Sequence, residues 1–325
     1  MRKAIMVKII SLGVVVILLA GFLIVNLVSP GFLGFNGLGF NAVYTYDESG
    51  YSVGNAELDH SINSISINWS SGSVKVSVTD KNMLRIYEDE SIEEKYKLRY
   101  KVTNDNSLDI QFIGSGQTLP NNVNKALVIE IPKDLADKMD KISISAASAD
   151  VSVSDITSRS LTLDTASGNA NGENIKTDSL SANTASGDVN FDNALAQELM
   201  LDTASGAVYL EEIVAKKIEC NTSSGDMTFS GQSDDMSFDT ASGKLTAEFF
   251  NSPKSIYANT SSGDVALALP KDIKGFSASL DTASGDLKCD FSSTLNGEDE
   301  FLYGESGVCS ITANTASGNL TIRQK

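Results

Sequence analysis

Eight near-identical pentapeptides constrain this chain more than any other feature. Asp or Asn, then Thr, Ala or Ser, Ser and Gly recur from Asp164, Asn183, Asp202, Asn221, Asp239, Asn259, Asp281 and Asn314. The copies close on Gly168, Gly187, Gly206, Gly225, Gly243, Gly263, Gly285 and Gly318. Successive copies start 19, 19, 19, 18, 20, 22 and 33 residues apart. A short fixed period predicts like units stacked on a shared core, rather than a globule built around one pocket.

Around each pentapeptide the side chains alternate. The residues one and three before it are apolar, as in Leu163 and Leu161, Leu201 and Leu199, Phe238 and Met236, and Ala313 and Ile311. The alternation resumes past the glycine at Val189 and Phe191, Val208 and Leu210, Val265 and Leu267, and Leu320 and Ile322. Period two is the mark of a strand with one buried face. The unit therefore reads as strand, corner, strand and a polar far loop such as 171–176 or 230–235. Glycine at the corner suits a positive φ, and Ser, Asn and Asp bond locally to turn amides. A lone hairpin is not stable in water, so the units must stack.

The first letter of the pentapeptide alternates Asp, Asn through all eight copies. If each copy is one coil, equivalent positions lie ~4.8 Å apart, and alternation keeps carboxylates from facing each other. Two copies per coil would stack Asp on Asp and require a neutralising cation. The electrostatics favour one copy per coil. The fold expected is all-β: a β-solenoid, a single-stranded parallel β-helix of ~19-residue coils, preceded by one transmembrane α-helix.

Two degenerate copies precede the eight. Asn68-Trp69-Ser70-Ser71-Gly72 has Trp in the Thr place, and Ser145-Ala146-Ala147-Ser148-Ala149 lacks the glycine. Between them, roughly Asp80 to Met139, lies an insertion with strand-like runs at 96–103, 108–113 and 126–131. It reads as a cap over the open end of the stack. The excess length at 294–305 reads as a cap for the other end. The expected organisation is a tip and membrane anchor at 1–28, a spacer at 29–60, an irregular β capping region at 61–140, and coils with a C-terminal cap at 141–325.

The run from Ile9 to Val28 holds 20 residues without a charge, preceded by Arg2, Lys3 and Lys8. A helix of that length spans roughly 30 Å, about one hydrocarbon core. The basic flank predicts a cytoplasmic amino terminus and an extracellular remainder. A cleavable signal peptide is the rival, but Ala20-Gly21-Phe22 is a poor cleavage site. Residues 29–60, with glycine interleaved with Phe and Leu, show no strand or helix period.

The chain carries a formal net charge of −17. Past residue 28 there are 22 basic against 42 acidic groups. So negative a surface repels phosphate backbones and argues against nucleic acid as partner. Cationic peptides and divalent metals are acceptable to it. The three cysteines, Cys220, Cys289 and Cys309, are too few and too odd for a disulfide framework, and their parity is that of buried small residues.

His60 is the only histidine and falls in the spacer, which argues against His-based nucleophilic catalysis. Eight equivalent Ser- and Asp-bearing corners are scaffold, because catalysis needs one special constellation. No catalytic residue and no cofactor is expected. Calcium is the chemical alternative. Asp188, Asp226, Asp264 and Asp286 directly follow corner glycines and offer oxygen ligands, although Asn169, Ala207, Lys244 and Asn319 break their column.

Several segments together resemble the bacterial putative-adhesin family of β-strand repeats. They are Asn68-Trp69-Ser70-Ser71-Gly72, Ile129-Glu130-Ile131-Pro132-Lys133-Asp134, Leu267-Ala268-Leu269-Pro270-Lys271-Asp272, the Asp-Thr-Ala-Ser-Gly-Asp corners, and Tyr303-Gly304 before the last Thr315-Ala316-Ser317-Gly318. The resemblance spans about residues 60–325 and departs at Ala207 and Lys244. It implies a β-solenoid at the bacterial cell envelope, often beside envelope-stress or membrane-regulator proteins, and carries over no catalytic residue.

The function expected is surface binding by a membrane-anchored extracellular β-repeat protein, adhesin-like or sensing envelope stress, without catalysis. The expected partners are the membrane, through Ile9 to Val28, and an envelope protein, cationic peptide or glycan. Two alternatives stand beside it. One is an enzyme acting on cell-wall polysaccharide, with Glu298, Asp299 and Glu300 beside Phe301 and Tyr303. The other is a structural stalk, with or without calcium.

Overall fold

The computed structural model describes residues 45–59, 62–89, 91–118, 125–292, 294–295, 300–305 and 307–325. The apolar run at 9–28, most of the spacer, His60, Glu298 and Asp299 lie outside the described residues. Among the described residues no helix is long and apolar enough to cross a membrane. The chain is all-β with extensive parallel pairing. It divides into two compact units, one ending at Thr184 and the other opening at Ala185.

The first unit contains β1 (Ser52–Val53), β2 (Ala56–Leu58), β3 (Ser64–Thr79), β4 (Leu84–Tyr87), β5 (Arg99–Val102), β6 (Ser107–Gln111), β7 (Ala126–Pro132), β8 (Met139–Ser154), β9 (Thr157–Thr165) and β10 (Ala170–Thr184). One short helix, α1 (Lys133–Ala136), follows Pro132. Strand β8 runs parallel to β3, and β9 and β10 stack on at an offset of 19 residues, with Leu180 against Leu161 and Asn183 against Asp164.

The insertion does not stack in sequence order. β6 and β7 pair with the far edge of β3, so β3 lies between them and β8. The antiparallel strands β5 and β4 then cover β6 and β7. Trp69 is buried and meets Phe112 edge-on, with ring centroids 4.9 Å apart. Lys125 is fully buried over both rings. Its Nζ lies 2.8 Å from a Glu88 carboxylate oxygen and donates to the carbonyls of Tyr96 and Phe112. The second Glu88 oxygen accepts from Leu98 N at 2.6 Å. Burial lowers the Lys125 pKa, and the Glu88 charge opposes that shift.

The second unit contains β11 (Val189–Thr203), β12 (Val208–Thr222), β13 (Met227–Thr240), β14 (Leu245–Phe249), β15 (Ser255–Ser262), β16 (Val265–Leu269), β17 (Gly275–Thr282), β18 (Leu287–Cys289), β19 (Thr294–Leu295), β20 (Glu300–Gly304), β21 (Ser310–Ser317) and β22 (Leu320–Gln324). Val189, Val208, Met227, Leu245, Val265 and Leu320 form one buried row of register partners. Leu201, Cys220, Phe238, Ala258 and Ala313 form another. Each large aliphatic or aromatic side chain in such a row contributes ~1.5–3 kcal/mol by leaving water. Parallel strands stacked copy on copy in this way are consistent with a β-solenoid.

Four expectations need correction. The far loops at 171–176 and 230–235 are strand, inside β10 and β13. The chain turns there on single left-handed residues: Asp155 and Asn174 in the first unit, Asn193 and Glu212 in the second; in the next coil Gly231, at φ 151°, pairs in register with Ile213. The next residues, Ile156, Ile175, Ala194 and Ile213, are buried, so the turn feeds the core at once.

The corner glycines do not serve a positive φ. Only Gly72, at φ 96°, has one among them. A Cβ on Gly168, Gly206, Gly225, Gly243 or Gly263 would instead overlap the carbonyl oxygen of the neighbouring coil. Close approach of backbones, not backbone freedom, excludes side chains there.

The last coil is out of order. β21 lies between β15 and β17, and β22 between β16 and β18. Asn259 therefore faces Asn314, and Asn314 faces Asp281, so the alternation in sequence is not kept in space. Asn259 Oδ1 is buried without a hydrogen-bond partner among the described residues. Cys220 and Cys309 are buried, but Cys289 is only half-buried, because its coil is the outermost one.

Candidate functional site

The corner column is a hydrogen-bonded ladder. Asn183 Nδ2 donates to Asp164 Oδ1 at 2.6 Å in the first unit. In the second, Asn221 donates to Asp202 at 2.9 Å and Asn259 to Asp239 at 3.0 Å. One copy thus occupies one coil, as the electrostatics favour. Burial raises the pKa of Asp164, Asp202 and Asp239, and the Asn amide opposes the shift in each.

The threonine of the pentapeptide has a role that sequence reasoning missed. Its buried Oγ1 accepts the corner glycine amide, as for Thr165 and Gly168 at 3.0 Å, Thr203 and Gly206 at 3.0 Å, and Thr222 and Gly225 at 2.8 Å. It also donates to the neighbouring coil's glycine carbonyl, as Thr260 does to Gly243 and Thr315 to Gly263, each at 3.2 Å. The invariance of Thr in eight copies was the signal. Valine has the same shape but could neither accept nor donate.

The calcium candidates are engaged with backbone. Asp188 Oδ1 accepts from Ala207 N at 2.8 Å, Asp226 Oδ1 from Lys244 N at 2.8 Å, and Asp264 Oδ1 from Asn319 N at 2.9 Å. At the end of the column Asp286 N donates to Asn319 Oδ1 at 2.9 Å. These side chains staple one coil to the next. Among the described residues no group of three or more His, Cys, Asp or Glu is placed to hold a metal ion. Of the residues weighed for glycan chemistry, Glu300 is exposed, while Phe301 is buried and Tyr303 stacks on Phe276 and Phe291. Those aromatic rings pack on one another and do not form an open sugar platform.

The outward surface of the second unit offers a different kind of site. Residues 185–325 carry 21 acidic against 9 basic side chains. Exposed apolar residues flank the left-handed turns at Asn193 and Glu212 along the chain. Leu195 and Val214 are register partners, 43% and 40% exposed, and Tyr209 on the adjoining strand segment is 49% exposed. Asp192 and Glu211, also register partners, and Glu212 are exposed on the same two coils. Leu and Val on the solvent face of a strand gain from being covered by a partner. The carboxylates of those coils set the sign of what can cover them.

An all-β chain of in-register parallel coils with this corner belongs to the class of β-repeat domains. The chain is a member of the Toastrack DUF4097 family, whose pattern it matches over residues 62–323. No curated protein matches it. Among solved structures it is similar to a putative adhesin from Bacteroides fragilis, at 15% identity over 84% of this chain and 97% of that one, with a TM-score of 0.44. A putative lipid binding protein from Parabacteroides distasonis is similar at 16% identity over 83% and 96%, TM-score 0.40. A putative cell adhesion protein from Clostridium sporogenes matches at 15% over 85% and 100%, TM-score 0.23.

Proposed function

We propose that this protein is a non-enzymatic surface-binding module held at a bacterial cell membrane by the apolar run at residues 9–28, with its β coils outside the cell. Binding to a cationic amphipathic partner, a peptide or an envelope protein segment, is the reading that the exposed surface supports best. The observation that carries it is the exposure of the register partners Leu195 and Val214 and of Tyr209, on two coils that also expose Asp192, Glu211 and Glu212. Apolar side chains give such a contact its area, and carboxylates select a basic partner and speed its arrival. The corners, by contrast, have their polar groups committed to the ladder and are scaffold.

The test compares the wild-type chain with two variants for binding to envelope extracts and to a fluorescent basic amphipathic helix. One variant carries Leu195→Ser, Tyr209→Ser and Val214→Ser; the other carries Glu211→Lys and Glu212→Lys. Both should fold and melt as wild type, because every position is exposed. Both should lose binding, and the charge variant should also lose the salt dependence. Retained binding in both would overturn the assignment.

A further inference from the structure

The outer coils of the two units are not equally closed. At the first unit's outer coil, β5 covers β6 and β4 covers β7. At the second unit's outer coil, β20 covers β17 over Gly275–Ser279, but among the described residues β18 pairs with β22 alone. Leu320 N donates to Asp286 O at 3.0 Å, and Asp290 N to Ile322 O at 2.9 Å. Residues 286, 288 and 290 therefore turn their backbone groups toward β22. By the alternation of a pleated strand, Leu287 and Cys289 turn theirs to the open edge. Their side chains are half-buried, whereas their register partners Leu320 and Ile322 are buried.

We propose that this edge is an interface between two copies of the chain, formed by antiparallel pairing of β18 about a two-fold axis through Cys289. The backbone groups facing outward make Cys289 opposite Cys289 a hydrogen-bonded pair, with Cα atoms about 5.5 Å apart. That register sets Lys288 of each copy against Asp290 of the other. The same two side chains already form an ion pair within one chain, Nζ to Oδ1 3.3 Å, and exchange it across the axis. The next register with the same backbone groups facing, two residues along, would set Lys288 against Lys288. Charge complementarity thus selects both the partner, a second copy, and the register. The proposal is independent of the binding surface around Tyr209, so either can fail alone.

The test uses the full chain in a mild non-ionic detergent and a short bis-maleimide as cross-linker. Cys220 and Cys309 are buried, so only Cys289 should react. Wild type should give a cross-linked dimer, and Cys289→Ser should not. Lys288→Asp alone and Asp290→Lys alone should each lower the dimer yield about tenfold, because two facing pairs become repulsive. The double variant Lys288→Asp with Asp290→Lys should restore it. Sedimentation of Cys289→Ser should show the same order of association among these charge variants without any cross-link. Yields indifferent to the single reversals, singles that fall without recovery in the double, or a monomer at every concentration would each overturn the proposal.

Discussion

Asn221 Nδ2 donates to Asp202 Oδ1 at 2.9 Å, directly across one coil step of the ladder. The bond keeps a carboxylate inside a half-buried column in which burial has raised its pKa, with the Glu219 charge adding to the shift. A raised pKa means that the folded chain holds the proton more tightly than the unfolded chain. The stabilising contribution is then complete below the unfolded carboxyl pKa and is lost as pH rises through the folded value.

Replacing Asp202 by Asn removes that titration and retains an acceptor for Asn221. The variant should match or exceed wild type in stability at pH 7. Its stability should rise less than that of wild type as pH falls into the carboxylate range. Urea melts at several pH values check this; an unchanged pH slope in the variant would contradict it.

Thr222→Val removes the buried acceptor of Gly225 N and leaves the shape intact. A loss of ~1–3 kcal/mol is expected, the cost of a buried amide left unpaired. Thr222→Ser should recover most of it. Equilibrium unfolding of the two variants gives the comparison.

Gly225→Ala sets a methyl into the carbonyl of Gly206. The atoms it meets are the Gly206 backbone and the buried Thr222 Oγ1, so we expect a loss of roughly 3 kcal/mol or more, at the upper end of overpacking costs. If the constraint were only conformational, alanine would fit there without penalty, since φ is not positive.

Glu88→Gln strands the buried Lys125 ammonium without its counter-charge. A loss of about 3–5 kcal/mol is expected from breaking a buried pair on one side. Adding Lys125→Met should recover much of it, because Trp69 and Phe112 already provide an apolar wall. A double-mutant cycle measured by urea unfolding reads both numbers.

Much of the coil was legible in the sequence. The inward parity of Leu199 and Leu201, the 19-residue step and the separation of Asp202 from Asp239 by Asn221 all rest on local periodicity, which a sequence records directly. The second turn was not legible, because Asp155, Asn174, Asn193 and Glu212 share a left-handed φ but no common side chain. The role of Thr222 was hidden by its size: a buried Thr reads as a small core residue until its hydrogen bonds are seen. Nor does spacing encode spatial order at the ends. The long gap before Asn314 shows extra chain, but not that its coil inserts between those of Asn259 and Asp281. Leu195, Tyr209 and Val214 carry no signal of their own in the sequence. Only the coil register shows Leu195 and Val214 side by side on the outward face.

The most direct check of one copy per coil is the dipolar broadening between paired nitroxide labels, in a chain with its three native cysteines changed to serine. Met200 pairs in register with Glu219, and Glu219 with Ser237. Labels at 200 and 219 should show strong broadening, their strands being ~4.8 Å apart, and labels at 200 and 237, two strands apart at about 10 Å, clearly less. Stronger broadening between 200 and 237 would mean that two copies make each coil, and would contradict the account.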